Sequence, residues 1–172
     1  MYVVSDALNR IVTLNADKDD YRLITEGVTT TSGDTTNSTE YVDRPYEIEF
    51  ITETTFLVSM HEKSEIMKFT AEGDSLGTFA RVTSPYGILF LPEFELVAIA
   101  SFVTTVSGEN LVYFFNVEDA SQSDGAGASL VPLLESDAVG VLDMSDVGAE
   151  SPRYLSRGEN PDEILITTDD NK

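Results

Sequence analysis

The chain has no cysteine and a single histidine, His61. The first absence excludes disulfides, thiolate metal sites and cysteine nucleophiles, and leaves the redox compartment open. The second excludes a metal centre assembled from several imidazoles of one chain. Basic residues are also scarce. Ten Lys plus Arg face 31 Asp plus Glu, giving a formal net charge of −21 spread along all 172 residues. A surface of that sign repels phosphate backbones and anionic lipid headgroups, so no nucleic-acid partner and no membrane insertion are expected. It attracts cations and basic partners, or it keeps the protein in solution. No apolar run approaches the roughly 20 residues that span a bilayer. Met1 leads straight into YVVS, with neither a basic n-region nor a cleavage site, so this stretch is not a standard secretory signal.

Helical periodicity is missing too. Apolar residues at i, i+3, i+4 and i+7 are not sustained anywhere. Short runs of Thr, Val, Ile, Phe and Tyr alternate instead with clusters of Gly, Asp, Asn and Ser, which is the pattern of strands joined by turns. Strands are predicted at 2–5, 10–15, 21–24, 46–51, 55–60, 65–70, 75–80, 86–91, 95–101, 110–116, 129–135, 139–144, 153–155 and 163–167. With 41% hydrophobic residues the chain can bury one sizeable core, and all-β folds of this length commonly remain one domain. The segments 25–41 and 119–129 read as flexible polar loops.

A grammar recurs among these strands. RPYEIEF begins at Arg44, SPYGILF at Ser84 and NPDEILI at Asn160. Pro45 and Pro85 are 40 residues apart, and Pro161 lies 76 beyond Pro85, close to twice that step. Four short strands in a period of about 40 residues is the spacing of a propeller blade. Proline fits the first residue of an innermost strand, where the lost N–H removes no ladder bond. The opening YVVS, RIVTLN and YRLI then match second, third and fourth strands, and EILIT supplies a first strand. The fold class expected is an all-β propeller, or a propeller fragment, of four-stranded antiparallel blades.

SDALNRIVTLNAD and SEIMKFTAEGDSLGTFARVTSPYGILFLPE resemble NHL-type propeller repeats. GVLDMSDVGAESPRYLSRGENPDEILIT resembles the related repeats of surface-layer propellers. Together these segments cover about two thirds of the chain. The resemblance implies a fold more than an activity, because such propellers include enzymes, ligand sensors and scaffolds. It also implies more length than is here, since six blades of ~40 residues need well over 200. The chain is therefore expected to be an incomplete propeller, associating with itself through open blade edges. The rival expectation is a closed ring in which EILIT pairs with YVVS.

Two constellations stand out as candidate sites. Asn15, Asp17, Asp19 and Glu26 partly match the spacing of a calcium loop, which gathers several oxygens on a hard cation. Calcium is accordingly the one cofactor the sequence suggests. Asp20 stands where the turn glycine belongs and strands replace the flanking helices, so a plain acidic turn explains the same residues. The second constellation is geometric. In a propeller the corners before first strands and the turns after second strands share one face around the channel. Arg44, Tyr46, His61 and Tyr86 would meet there and bind a protein, a sugar or another small molecule. The alternative for each tyrosine is simple packing on the neighbouring blade, and for His61, in MHEKSE, an exposed turn.

The sequence shows no nucleophile–base arrangement and no glycine-rich phosphate loop. A non-enzymatic binding or scaffolding module, extracellular or at the cell surface, is the leading expectation. The rival is a calcium-dependent hydrolase or lyase of lactonase type, a class that holds its metal with Glu, Asn and Asp side chains from several blades.

Overall fold

The computed structural model describes residues 2–5, 10–14, 21–26, 44–102, 110–118, 131–149 and 151–169. These residues form an all-β molecule of fourteen strands and two short 3-10 turns, at Glu135–Asp137 and Met144–Val147. The first sheet joins β1 (Tyr2–Ser5), β2 (Arg10–Leu14) and β3 (Tyr21–Glu26). The second runs β4 (Pro45–Phe50), β5 (Thr55–Met60), β6 (Glu65–Thr70) and β7 (Ser75–Arg81). The third contains β8 (Pro85–Leu91), β9 (Leu96–Ser101), β10 (Leu111–Asn116) and, as its outer strand, β12 (Gly140–Asp143). The fourth pairs β13 (Pro152–Arg157) with β14 (Ile164–Thr168).

The ladders are antiparallel with one exception. The two-residue strand β11 (Leu133–Leu134) adds to the outside of β7 in parallel. Among the described residues the sheets therefore hold three, five, four and two strands, where four each were expected. The 129–135 strand shrinks to Leu133–Leu134, directly after Pro132, which has no N–H to donate to a ladder. β3 extends through Glu26, so residues 25 and 26 belong to a strand and not to the polar loop expected over 25–41. The rest of that segment, and 119–129, lie outside the described residues.

The sheets are stacked in chain order with a slab of apolar side chains at each joint. Ile11 meets Phe56, Val58, Met60, Met67 and Phe69 between the first and second sheets. Leu57, Ile66 and Phe79 meet Ile88, Val97, Ile99 and Phe115 between the second and third. Leu89, Leu91, Ala98 and Ala100 meet Leu155, Ile164 and Ile166 between the third and fourth. β5 and β9 thus have both faces covered, which explains why TFLVSM and LVAIAS are near-continuous apolar runs rather than alternating ones. The outer face of the fourth sheet is different. Tyr154 is 52% exposed and Leu165 57%.

The strand contacts fix each strand's place in its sheet. β4 lies against β8 and β8 against β13, first strand on first strand. β1 packs on β4 as β5 packs on β8 and β9 on β13. β1 therefore occupies a second-strand position, as its sequence predicts. EILIT does not take the place expected for it. It forms β14, the second strand of the last sheet, and pairs with β13 rather than with YVVS. The third proline corner is Pro152, not Pro161.

Candidate functional site

Each first strand begins in the same way. Arg44, Ser84 and Ser151 adopt positive φ (45°, 45° and 55°) and are followed by Pro45, Pro85 and Pro152. The residue just past the second strand then closes the corner with its backbone N–H. His61 donates to the Arg44 carbonyl at 3.3 Å, Phe102 to Ser84 at 3.2 Å and Asp169 to Ser151 at 3.1 Å. Just after each proline the ladder carries a bulge, one extra residue on the first strand. A bulge bends the strand and re-aims the side chains at it. The residues so placed are Tyr46, Tyr86 and Arg153.

Because the sheets stack, these equivalent positions fall into a row. The Tyr46 and Tyr86 rings lie 4.6 Å apart, and the Arg153 guanidinium sits 4.2 Å from the Tyr86 centroid. The post-strand residues form a second row beside the first. The His61 ring is 5.2 Å from Tyr46, edge-on, and 4.5 Å from Tyr86. Phe102 is 6.0 Å from Tyr86, and Arg153 also covers its ring at 4.6 Å. Rings and guanidinium at these distances attract through dispersion and the ring quadrupole.

Charge closes both ends. Arg44 pairs with Glu62, and Arg153 with Asp169 at 3.0 Å. His61 is held below the usual histidine range, first by burial and further by Arg44 and Arg153, against the opposing pull of Glu62 and a hydrogen bond to the Pro85 backbone. Pro85 offers only a carbonyl, so the ring donates. Its Nδ1 is buried with no hydrogen-bond partner among the described residues.

All four residues expected to bind ligand come together at this end. Their roles in the packing differ. Tyr86 is only 7% exposed and forms the floor, as the packing alternative foresaw. Arg44 is exposed, while Tyr46 and His61 are half-buried, so His61 is not the exposed turn histidine its neighbours suggest. Phe102 and Arg153 join the set without having been anticipated. The signal for Arg153 was Ser151-Pro152, which repeats Ser84-Pro85. Its 67-residue distance from Pro85 hid it from a 40-residue rule.

The calcium candidates Asn15, Asp17 and Asp19 lie outside the described residues, as does the side chain of Glu26. Among the described residues no three His, Asp or Glu side chains converge as a metal site. No helix among them is long and apolar enough to cross a membrane. A shallow groove of about 390 Å³, separate in its lining from the rings, opens where Lys63 and Ser64 face Arg81, Thr83, Leu134 and Glu135. Its Glu135 carboxylate accepts the Thr83 N–H at 2.7 Å.

No family model and no curated protein matches the chain. Among solved structures it is similar to a Bacteroides uniformis protein named, provisionally, a 6-phosphogluconolactonase. Identity is 12% and the TM-score 0.57, over 97% of this chain and 43% of that one. The chain spans less than half the length of that protein, and the likeness is one of fold.

Proposed function

We propose that the chain is part of a β-propeller of the NHL or surface-layer kind and acts as an extracellular binding or scaffolding module. Its ligand surface is the corner face around Tyr46, His61, Phe102 and Arg153. The observation that supports this is the convergence of equivalent positions from three consecutive sheets on one half-exposed row of rings capped by arginines. Flat rings beside hydrogen-bonding groups suit a sugar or a peptide turn, which offers an apolar face and polar edges together.

Thermal-shift titration with neutral oligosaccharides, sugar acids and short peptides tests the reading, since a ligand specific to the folded state raises the Tm. At least one class is expected to do so, and Tyr46→Ala with Arg153→Ala to abolish the shift. A panel without any shift, or a shift that survives both substitutions, overturns it. The second reading, a calcium-assisted sugar-lactone hydrolase, draws on the name of the structural neighbour. Acid release from 6-phosphogluconolactone with and without calcium separates the two. Turnover above the spontaneous rate favours the hydrolase.

A further inference from the structure

Among the described residues β8 is an edge strand, with β9 on one side only. Its outward N–H groups at Ile88 and Phe90 would otherwise face the neighbouring sheet unpaired. Glu47 and Glu49, two residues apart on β4 and so on one face of it, reach across the joint. Glu47 Oε2 accepts from the Ile88 N–H at 3.2 Å, and Glu49 Oε1 from the Phe90 N–H at 2.9 Å. Two carboxyls thus stand in for a missing strand. Ser59 adds a third tie: its Oγ accepts the Glu47 N–H at 3.0 Å and donates to the Tyr86 carbonyl at 2.7 Å.

Among the described residues the surroundings of the two acids carry little charge. Among the elements against β4, YVVS, TFLVSM and PYGILFL contain no acid or base beyond the phenols of Tyr2 and Tyr86. β13, on the far side of β8, supplies Arg153 and Arg157. Arg153 is engaged with Asp169. Arg157 donates to the Phe90 carbonyl at 2.8 Å and pairs with Glu93 at 3.4 Å, and its charge favours ionised Glu49. Glu49 therefore has a cation nearby, whereas the charge acting on Glu47 is that of Glu49.

We propose that Glu47 and Glu49 form a proton-operated latch between the second and third sheets. The joint is tight while Glu47 is protonated, and it loosens as Glu47 gives up its proton beside Glu49. Burial is the main force on Glu47 and pushes it up to about 7, with Glu49 adding to the rise and the Ile88 N–H opposing it. Glu49 is also raised by burial, against the Phe90 N–H and Arg157. Since the folded value exceeds the ordinary 4.5, the folded protein holds a proton that the unfolded chain has released. The stabilisation is complete below about 4.5 and is lost as pH rises through about 7. The latch acts whether or not the rings take a ligand.

Amide spectra from pH 5 to 9 read the latch directly. The Ile88 amide shift is expected to titrate near neutrality in the wild-type protein and to stay flat in Glu47→Gln, which keeps the acceptor without the charge. Hydrogen exchange at Ile88, taken relative to that variant, is expected to rise at least about tenfold between pH 5.5 and 8. Glu49→Gln is expected to lower the Ile88 midpoint by removing the neighbouring charge, and this remains readable even if Glu47→Gln does not fold. An Ile88 amide that fails to move, or that titrates below pH 5, overturns the proposal. So does a midpoint that Glu49→Gln leaves in place.

Discussion

Gly87 shows how much one side chain decides at a sheet joint. Tyr-Glu-Ile-Glu on β4 becomes Tyr-Gly-Ile-Leu on β8, so Gly87 stands where β4 has Glu47. A Cβ at Gly87 would lie 2.5 Å from the Arg153 carbonyl oxygen and 3.1 Å from the Leu155 nitrogen. Both are backbone atoms and cannot swing aside. At Gly87 the third and fourth sheets therefore meet backbone to backbone, while at the matching place the second and third are spaced by the Glu47 carboxyl. Gly87→Ala is expected to lose about 2–3 kcal/mol through overpacking, seen as a lower urea midpoint. A midpoint equal to wild type would mean that β13 does not sit over this glycine.

The corner, with its positive-φ residue, proline and bulge, is the repeated element. Holding Ser84 at φ 45° conflicts with its Cβ, yet the Phe102 N–H and the following proline fix the geometry. Ser84→Gly relieves the strain while adding freedom to the unfolded chain, so it is expected to stay within about 1 kcal/mol of wild type. Ser84→Val places a β-branched side chain in the same backbone and is expected to cost about 1–2 kcal/mol. Equal melting temperatures for the two variants would argue against a left-handed corner.

These corners also account for what the sequence could and could not reveal. The strands of the second and third sheets were legible from alternation and turn residues, and the Tyr46–His61–Tyr86 meeting followed from the proline spacing. Longer connections after β9, β10 and β12 than after β5, β6 and β7 stretched the next step from 40 to 67 residues. Pro161 then fitted the arithmetic better than Pro152 did. The Glu47 and Glu49 bonds were invisible for another reason: in sequence an alternating Glu on a strand reads as its solvated face.

For the molecule as a whole, charge and exposed apolar surface oppose each other. A net charge of −21 pushes the compact state apart and keeps copies separate. Salt shortens the screening length from about 10 Å at 0.1 M to about 3 Å at 1 M. The melting temperature is therefore expected to rise from millimolar to molar salt. Light scattering should then show association, with the Tyr154–Leu165 face no longer guarded by repulsion. A flat melting curve series would show that the acids are already neutralised by paired groups.

The two unlike joints also set how the structure carries a mechanical load. Tension applied across the stack passes through apolar slabs that slide easily and through polar ties that do not. At the third-to-fourth joint the backbones interlock over Gly87, so shear must lift one strand over another. At the second-to-third joint the hold on β8's free edge is the pair of carboxyl contacts and one serine hydroxyl. Rupture is expected to begin there, and at a lower force in alkaline solution. The last two sheets, tied by Arg157 on the Phe90 carbonyl, are expected to part later.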